Sequence, residues 1–397
     1  MANITELLRR LGYPQNSFRK IHVAGTDGKG STSAMIASIL RRSGLKVGLY
    51  TSPHIIEFNE RISINGENIS DDDIRLLAGI IEPIVEDMRG IGMQCTFFEV
   101  TTALAFLYFK EKDVDYAVVE VGMGGRFDAT NVIVPDVSII TTISVEHISY
   151  LGDTITKIAG EKSGIIKAKV PVVTVNVGEP LRVISEKAAE MNSPLIKVED
   201  PESVQTKEDS VEFTYKGKRY AVGVPGSYQA VNASMAIEAI HQLPQSNRYI
   251  PHIQEGLKDV KWPCRMQKLK DQPIILDVTH TKAGSKVLAN DISKIYGEVV
   301  TVFGALSDKD IKGILENIAS VTTKLIITVP ESERAADIEV IEKAARECMR
   351  DVTMIPNIYE ARDYGMEVRG EQMLLITGSF IMAEDALKWL KRTSAGY

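Results

Sequence analysis

Cysteine is scarce in this chain. Cys95, Cys264 and Cys348 are the three in 397 residues, and their scatter excludes both a disulfide framework and a zinc cluster. Basic excess is also missing. The formal net charge is −7, which excludes a general nucleic-acid binder. No apolar run is long enough to span a bilayer, and the polar, amphipathic N-terminus lacks a signal-like apolar core. The expectation is therefore a protein of the reducing cytoplasm with no membrane partner. Internal repeats and low-complexity tracts are absent as well. What is present is ordinary for a globular protein, with 44% apolar and 25% charged residues. A chain of this length is too long for one compact core, so two domains are expected.

One stretch organises the rest: Ile21-His-Val-Ala-Gly-Thr-Asp-Gly-Lys-Gly-Ser-Thr-Ser33. A short apolar strand, Ile21 to Ala24, runs into a glycine-rich loop. A helix follows, with Ala34, Ile36, Ala37, Ile39 and Leu40 as its apolar stripe. Gly25, Gly28 and Gly30 let the backbone curl and turn its N–H groups inward. The helix N-terminus adds partial positive charge and Lys29 a full one, which together make a polyphosphate cradle. Ser31 is placed to offer a hydroxyl to Mg²⁺. The loop is not the common P-loop pattern. That pattern wants Gly where this chain has Val23, and Ser or Thr directly after the lysine where it has Gly30. The bland alternative is a glycine turn that binds nothing.

The remaining chain reads as alternating strands and helices. Residues 4–11 form a short helix with Ile4, Leu7, Leu8 and Leu11 on one face, stopped by Gly12. Strands are expected at Val47–Tyr50, Tyr116–Val121, Val137–Ile143 and Val170–Val175, and a small hairpin around Asn65-Gly66. Helices are expected at Asp71–Met88, Phe97–Lys110 and Thr154–Lys162. This alternation means a parallel sheet covered on both faces. From Val198 to Tyr220 the texture changes to an antiparallel hairpin around Lys216-Gly217-Lys218. Helices return at Ser227–Leu243 and Pro251–Asp259. After a candidate linker, Lys261-Trp-Pro-Cys-Arg265, a second βα series begins, with strands at Ile274–Leu276, Val299–Phe303, Leu325–Thr328 and Met373–Ile376. The expected fold class is α/β. A large P-loop ATPase domain with a mostly parallel sheet covers 1–262, and a smaller Rossmann-like α/β domain covers 263–397.

Parallel sheets present ligand groups at the carboxyl ends of their strands. Besides the glycine loop, three such ends carry suitable groups: Ser52, Glu120 and His147. Together they make a plausible Mg²⁺ shell. Taken singly, Ser52 could cap a turn, Glu120 could pair with Arg126, and His147 could be a satisfied histidine. Glu120-Val-Gly-Met-Gly-Gly-Arg-Phe-Asp-Ala-Thr-Asn131 follows as a wall able to approach a substrate, with Arg126, Asp128 and Asn131 for polar readout. The alternative is a surface loop. Glu161-Lys-Ser-Gly164 ends a helix near the same place. Read from the residues alone, Lys162 is a solvated lysine, since a cation beside Mg²⁺ is disfavoured. In the second domain, Asp277, His280 and Arg265 are candidates to face a nucleotide across an interdomain cleft. Asn232 is a candidate for the adenine edge. Alone, each of these is more often structural.

These stretches resemble the folylpolyglutamate synthase and dihydrofolate synthase family of the Mur ligase superfamily. The resemblance runs from about Leu11 to about Leu387. It is carried by Gly25-Thr-Asp-Gly-Lys-Gly-Ser31, Thr51-Ser-Pro-His54 with Glu60-Arg61, Glu120 to Asn131, His147 to Gly152 and Glu161 to Ile165. Asn232, Trp262 to Arg265, Asp277 to His280, Phe303-Gly-Ala-Leu-Ser-Asp-Lys309 and Thr377-Gly-Ser-Phe380 continue it in order. The resemblance implies an ATP-dependent amide ligase: ATP phosphorylates a substrate carboxylate, and the amine of L-glutamate attacks the acyl phosphate. It implies nucleotide contacts from Gly25, Thr26, Asp27, Gly28, Lys29, Gly30, Ser31 and Thr32, and from Asn232, Arg265, Asp277 and His280. It implies two Mg²⁺ ions held by Ser52, Glu120 and His147, and a carbamylated Lys162 whose new negative charge suits the metal. Lys29, His147 and Lys162 are its catalytic residues. Arg126, Asp128, Ala129 and Asn131 match its pterin site. Domain closure would shield the acyl phosphate from water.

The chain departs from the family pattern at named places. Asp27 stands where Asn is usual, Cys264 replaces a usual Gly, and Thr281-Lys-Ala-Gly284 replaces an Asn-Pro type continuation near the amino-acid site. It also starts late relative to family members, whose extra leading segment lines part of the pterin pocket. The expected function is glutamate ligation to a folate-type acid, by a monomer whose partners are ATP, L-glutamate and a pterin-like acid. The alternative acceptor is a non-folate carboxylate cofactor precursor. A nucleotide-binding module without ligase activity is the rival from another class.

Overall fold

The computed structural model describes residues 1–145 and 148–394, and they divide into two compact units. The first holds Met1–Glu202, Tyr215–Tyr220 and Val231–Val260. The second holds Ser203–Thr214, Ala221–Ala230 and Lys261–Tyr397. Among the described residues no helix is long and apolar enough to cross a membrane.

The first unit is built on an eight-stranded sheet. Its strands in chain order are β1 (Arg19–Ala24), β2 (Val47–Tyr50), β3 (Ile62–Ile64), β4 (Glu67–Asn68), β5 (Tyr116–Glu120), β6 (Val137–Ile140), β7 (Val172–Thr174) and β8 (Leu195–Lys197). In space they run β4-β3-β2-β5-β1-β6-β7-β8. Strands β2 to β8 across β1 pair in parallel, and the β3–β4 hairpin adds an antiparallel edge. β5 is buried along its whole length, which explains its unbroken apolar reading. β1 lies between β5 and β6, so the chain leaves it first to one side and later crosses to the other. That reversal opens a crevice beyond the carboxyl ends of β1, β5 and β6.

Local chemistry sets the helices. Thr96 and Glu99 form a reciprocal capping box at the start of helix Phe97–Glu111. The second oxygen of the Glu99 carboxylate accepts the Ile4 N–H at 3.2 Å. One buried carboxylate therefore starts that helix and anchors helix Ala2–Arg10, whose Ile4, Leu7 and Leu8 enter the same core as Phe106 and Phe109. A second apolar cluster, with Ile140, Ile158, Ile165 and Val172, continues along the same face of the sheet over β6 and β7.

Residues 202–222 add a three-stranded sheet of β9 (Glu202–Thr206), β10 (Val211–Tyr215) and β11 (Lys218–Val222). The expected hairpin turn is there, with Lys216 and Gly217 both at positive φ, 46° and 73°. The second unit's main sheet uses β12 (Gln267–Lys268), β13 (Ile274–Leu276), β14 (Val299–Phe303), β15 (Thr322–Ile327), β16 (Val352–Met354) and β17 (Leu374–Thr377). Their order is β12-β13-β17-β14-β15-β16, parallel throughout except for β12. Leu288, Ile292, Phe303, Ile314 and Leu325 lie in its core.

Candidate active site

The glycine loop leaves β1 at Ala24 and enters helix Lys29–Arg42. Two of its glycines are required by contact. Gly25 has φ +148°, and a Cβ there would fall 1.8 Å from Thr141 Oγ1. Gly28 has φ +88°, and a Cβ there would meet Asn232 Oδ1 at 2.4 Å. A side chain at Gly25 would press on Thr141, just after β6, and one at Gly28 would be strained by that positive φ and would displace the Asn232 amide. Gly28 caps helix Lys29–Arg42 without a side-chain acceptor, so the first helical N–H groups keep their capacity to bind an anion.

The loop is docked sideways onto the chain that leaves β6. The Thr26 N–H donates to Thr142 O at 2.8 Å. Thr26 Oγ1 donates to Ser144 O at 3.2 Å and accepts the Ser144 N–H at 3.1 Å. Asp27 bridges Thr142. Lys29 curls back, and its ammonium donates to Gly25 O at 3.1 Å and Thr26 O at 3.0 Å. Thr32 Oγ1, Ser33 Oγ, Thr141 Oγ1 and Ser144 Oγ are buried without a hydrogen-bond partner among the described residues. Ser31, which leads that hydroxyl row, is itself buried.

Lys162 corrects the reading made from its residue type. It is 1% exposed rather than solvated, and its ammonium donates to Gly25 O at 2.6 Å. Helix Ile155–Ser163 carries it there, pinned at its start by the Thr154 hydroxyl. Glu120, at the carboxyl end of β5, is also buried. Its carboxylate accepts the Ser52 N–H at 3.1 Å, so the sheet brings these two candidates together. Glu60 shapes the approach, its oxygens accepting the N–H groups of Ile55, Ile56 and Glu57. His147 lies outside the described residues.

The wall after Glu120 is held by its own polar groups. Asp128 Oδ1 accepts the Thr130 N–H at 2.9 Å and the Thr130 hydroxyl at 2.5 Å, and Oδ2 accepts the Met123 N–H at 3.0 Å. Burial pushes the Asp128 carboxyl up, against these hydrogen bonds. Asn131 Nδ2 donates to Arg126 O and Gly164 O, leaving Oδ1 as its buried acceptor without a partner among the described residues. The Asp128 carboxylate thereby closes the loop on itself. Ala129 is buried beside it. Arg126 lies against Glu161 at 3.7 Å rather than pairing with Glu120. Phe127 and Met123 are exposed on the loop.

In the second unit, Asp277 is 1% exposed. It accepts the N–H groups of Met266 at 2.8 Å and Thr279 at 2.7 Å. It therefore ties the segment before β12 to the end of β13. Arg265 and His280 converge on one ring. The Arg265 guanidinium stands 5.4 Å from the Phe380 centroid, and the His280 ring 5.8 Å from it. His280 Nδ1 donates to Val278 O at 2.9 Å, which fixes that ring. Thr281, part of the departure from the family pattern, caps helix Lys282–Ile295 by accepting the Gly284 N–H.

Residues 23–240 match the Mur ligase middle domain, and 264–380 match the Mur ligase, glutamate ligase domain. The dihydrofolate synthase/folylpolyglutamate synthase of Bacillus subtilis is 36% identical, over 98% of this chain and 95% of that protein. The chain belongs to the folylpolyglutamate synthase/dihydrofolate synthase family of Mur ligases. The folylpolyglutamate synthase of Lacticaseibacillus casei is 36% identical, over 96% of this chain and 92% of its own length. Among solved structures, Mycobacterium tuberculosis folylpolyglutamate synthase complexed with ADP and AMPPCP aligns with a TM-score of 0.89 at 30% identity, covering 98% of this chain and 94% of that one.

Within this family member, two buried residues escaped the reading from sequence. Asn176 follows β7. Its Oδ1 accepts the Ile143 N–H at 2.9 Å, while Nδ2 donates to Thr141 O and Thr174 Oγ1, each at 2.8 Å. It stitches the ends of β6 and β7 behind the glycine loop. His22, inside β1, reaches Thr130 of the wall. Neither stands at a strand end with a ligand-type neighbour in sequence, so only the three-dimensional pairing reveals it.

Proposed function

We propose that this ATP-dependent ligase joins L-glutamate to the carboxylate of a folate-type pterin, building dihydrofolate, polyglutamyl tails, or both. Ligase chemistry follows from family membership; the acceptor is our reading. The observation that supports it most is the convergence of the Lys29 and Lys162 ammonium groups on the glycine loop that leaves β1, next to the end of β5, where the buried Glu120 accepts the N–H of half-buried Ser52.

In this reading the loop N–H groups and the start of helix Lys29–Arg42 bind the triphosphate. The Lys29 ammonium leaves its two carbonyl partners to meet the β- and γ-phosphates. Thr32 and Ser33 offer the phosphates hydroxyls that have no partner among the described residues. Asn232, packed on Gly28, orients the nucleotide from the side. Arg265 and His280, stacked on Phe380, contribute nucleotide contacts of the second domain, for which we keep the boundary at residue 263. The γ-phosphoryl passes to the acceptor carboxylate, the glutamate amine attacks the acyl carbon, and phosphate leaves as the amine loses its proton.

Ser52 and Glu120, with His147, would hold Mg²⁺. Among the described residues no group of three or more His, Cys, Asp or Glu makes a metal cage. A hydroxyl beside a buried carboxylate suits a hard cation that keeps water and phosphate oxygens as its other ligands. Bound there, the ion would offset the charge building on the transferred phosphoryl group. Lys162, carbamylated, would present an anion at the same place.

The test is ADP release by the purified protein with Mg-ATP. Turnover that needs both glutamate and dihydropteroate or tetrahydrofolate is expected, and it should fall when bicarbonate is stripped from the buffer. Glutamate-dependent turnover with other carboxylates alone would overturn the pterin acceptor and favour a non-folate cofactor precursor. Nucleotide binding with no turnover for any acceptor would favour a binding module.

A further inference from the structure

His22 lies in the middle of β1 and is wholly buried. Its Nε2 is 2.9 Å from Thr130 Oγ1. The same hydroxyl is 2.5 Å from Asp128 Oδ1. A threonine hydroxyl has one proton to give. Asp128 accepts the Met123 N–H, the Thr130 N–H and this hydroxyl; donors on both oxygens favour its ionised form against the upward push of burial. The Thr130 proton therefore points at Asp128, and its oxygen is left to accept. His22 must then carry its proton on Nε2. Nδ1 is the bare acceptor, buried without a partner among the described residues. The opposite tautomer would bury an N–H donor there instead, the costlier orphan. Burial and the neighbouring Lys167 hold the ring far on the neutral side, with a pKa lowered to about 3.

The relay reaches both ends of the wall. Through Thr130 it meets the end near Asn131, and through the other Asp128 oxygen it meets Met123 near the start. Lys167 closes the same corner by donating to Asn131 O at 2.9 Å. Glu120 leads directly into this loop.

We propose that His22 is a positioning residue for the acceptor. As a single Nε2-protonated tautomer it sets the form of loop 122–131 through Thr130 and Asp128, and so fixes where the acceptor lies relative to Glu120. This rests on the assignment of that loop to the pterin acid made above. His22 touches no reacting atom; it acts through the loop.

Two measurements test it on the full chain. The first is a long-range proton–nitrogen NMR correlation of histidine-labelled protein, with the His22 signals assigned by their loss in His22→Gln. An Nε2-protonated ring is expected. An Nδ1-protonated or doubly protonated ring at neutral pH would overturn the relay, whatever the acceptor proves to be. The second is kinetic. His22→Phe should raise the acceptor KM about tenfold, the scale of one lost buried hydrogen bond, with the ATP KM within a factor of two. His22→Gln, whose amide nitrogen can stand in for Nε2, should recover most of that loss. Equal shifts in both KM values, or no recovery with Gln, would overturn the positioning role. If His22→Phe does not fold, Thr130→Val breaks the relay at its centre, and the same selective rise in acceptor KM is expected. A wild-type protein that turns over no pterin would sink the acceptor reading and leave the NMR result to decide the relay.

Discussion

Single buried side chains decide much of this protein's behaviour, and Asp385 shows how. It is 2% exposed in helix Phe380–Ser394, and its Oδ2 has no partner among the described residues. Burial first, then the charges of Glu331 and Glu384, push its carboxyl up to about 6, with Lys388 opposing. Arg362, which lines the same small cavity, is held by Asp363 and stacked 3.9 Å over Trp389. The native state therefore keeps the Asp385 proton at a pH where the unfolded chain, near the ordinary value of about 3.9, has lost it. Stability falls as pH rises through the window from about 4 to about 6 and is flat above it. Asp385→Asn should remove that fall. Its melting temperature at pH 7.5 should exceed the wild type's by roughly 2–4 °C, the shift expected for about 1 kcal/mol, with the gap closing at pH 4.5. Melting curves at the two pH values check this, and an equal gap at both would refute it. At this scale the sequence exposes Glu120 and Ser52, because ligand-type residues stand at strand ends. It hides His22, Asn176 and the burial of Lys162, since His22 meets Thr130 across 108 positions and Lys162 meets Gly25 across 137.

Elements were more legible than side chains, for a physical reason. β2, β13 and β14 are short apolar runs between turn signals, and they form over the residues the pattern indicates. β6 stops at Ile140 instead of Ile143. The Thr141 carbonyl is taken by Asn176 and the Thr142 carbonyl by Thr26, so the ladder gives way to loop docking. Helix Gly178–Glu190 goes unmarked because Gly178-Glu-Pro180 reads as a turn and only Ile184 and Ala188 are fully buried along it. These exchanges give Asn176 a role at the scale of two strands. Asn176→Leu would leave the Ile143 N–H and the Thr141 carbonyl without their partner, at a cost of about 2 kcal/mol or more. It should also loosen the Thr142–Ser144 segment that seats Thr26. The expected result is a lower denaturation midpoint together with a several-fold higher KM for ATP. Urea titration and initial rates check both, and a stability loss with unchanged ATP KM would show that the stitch does not reach the glycine loop.

At the scale of the molecule, the sequence pattern yields the α/β class because each parallel strand is long enough, apolar enough and followed by a helix. It yields less about how segments are shared. Residues 203–214 and 221–230 join the second unit although they precede the candidate linker. Sheet contacts between short, half-exposed strands leave little trace in composition. The two units have separate apolar clusters, so each contributes its own stability. A ligand that binds only the folded glycine loop must stabilise the unit that carries it by mass action, about 2.7 kcal/mol at a concentration a hundred times its Kd. A non-hydrolysable ATP analogue with Mg²⁺ should therefore raise the melting transition by several degrees, increasingly with concentration. Lys29→Ala removes the full charge that we propose meets the phosphates and leaves the loop's turn-forming glycines in place. That variant should melt close to wild type without ligand and lose most of the shift with it. A shift retained in Lys29→Ala would place the nucleotide somewhere other than the mouth of β1.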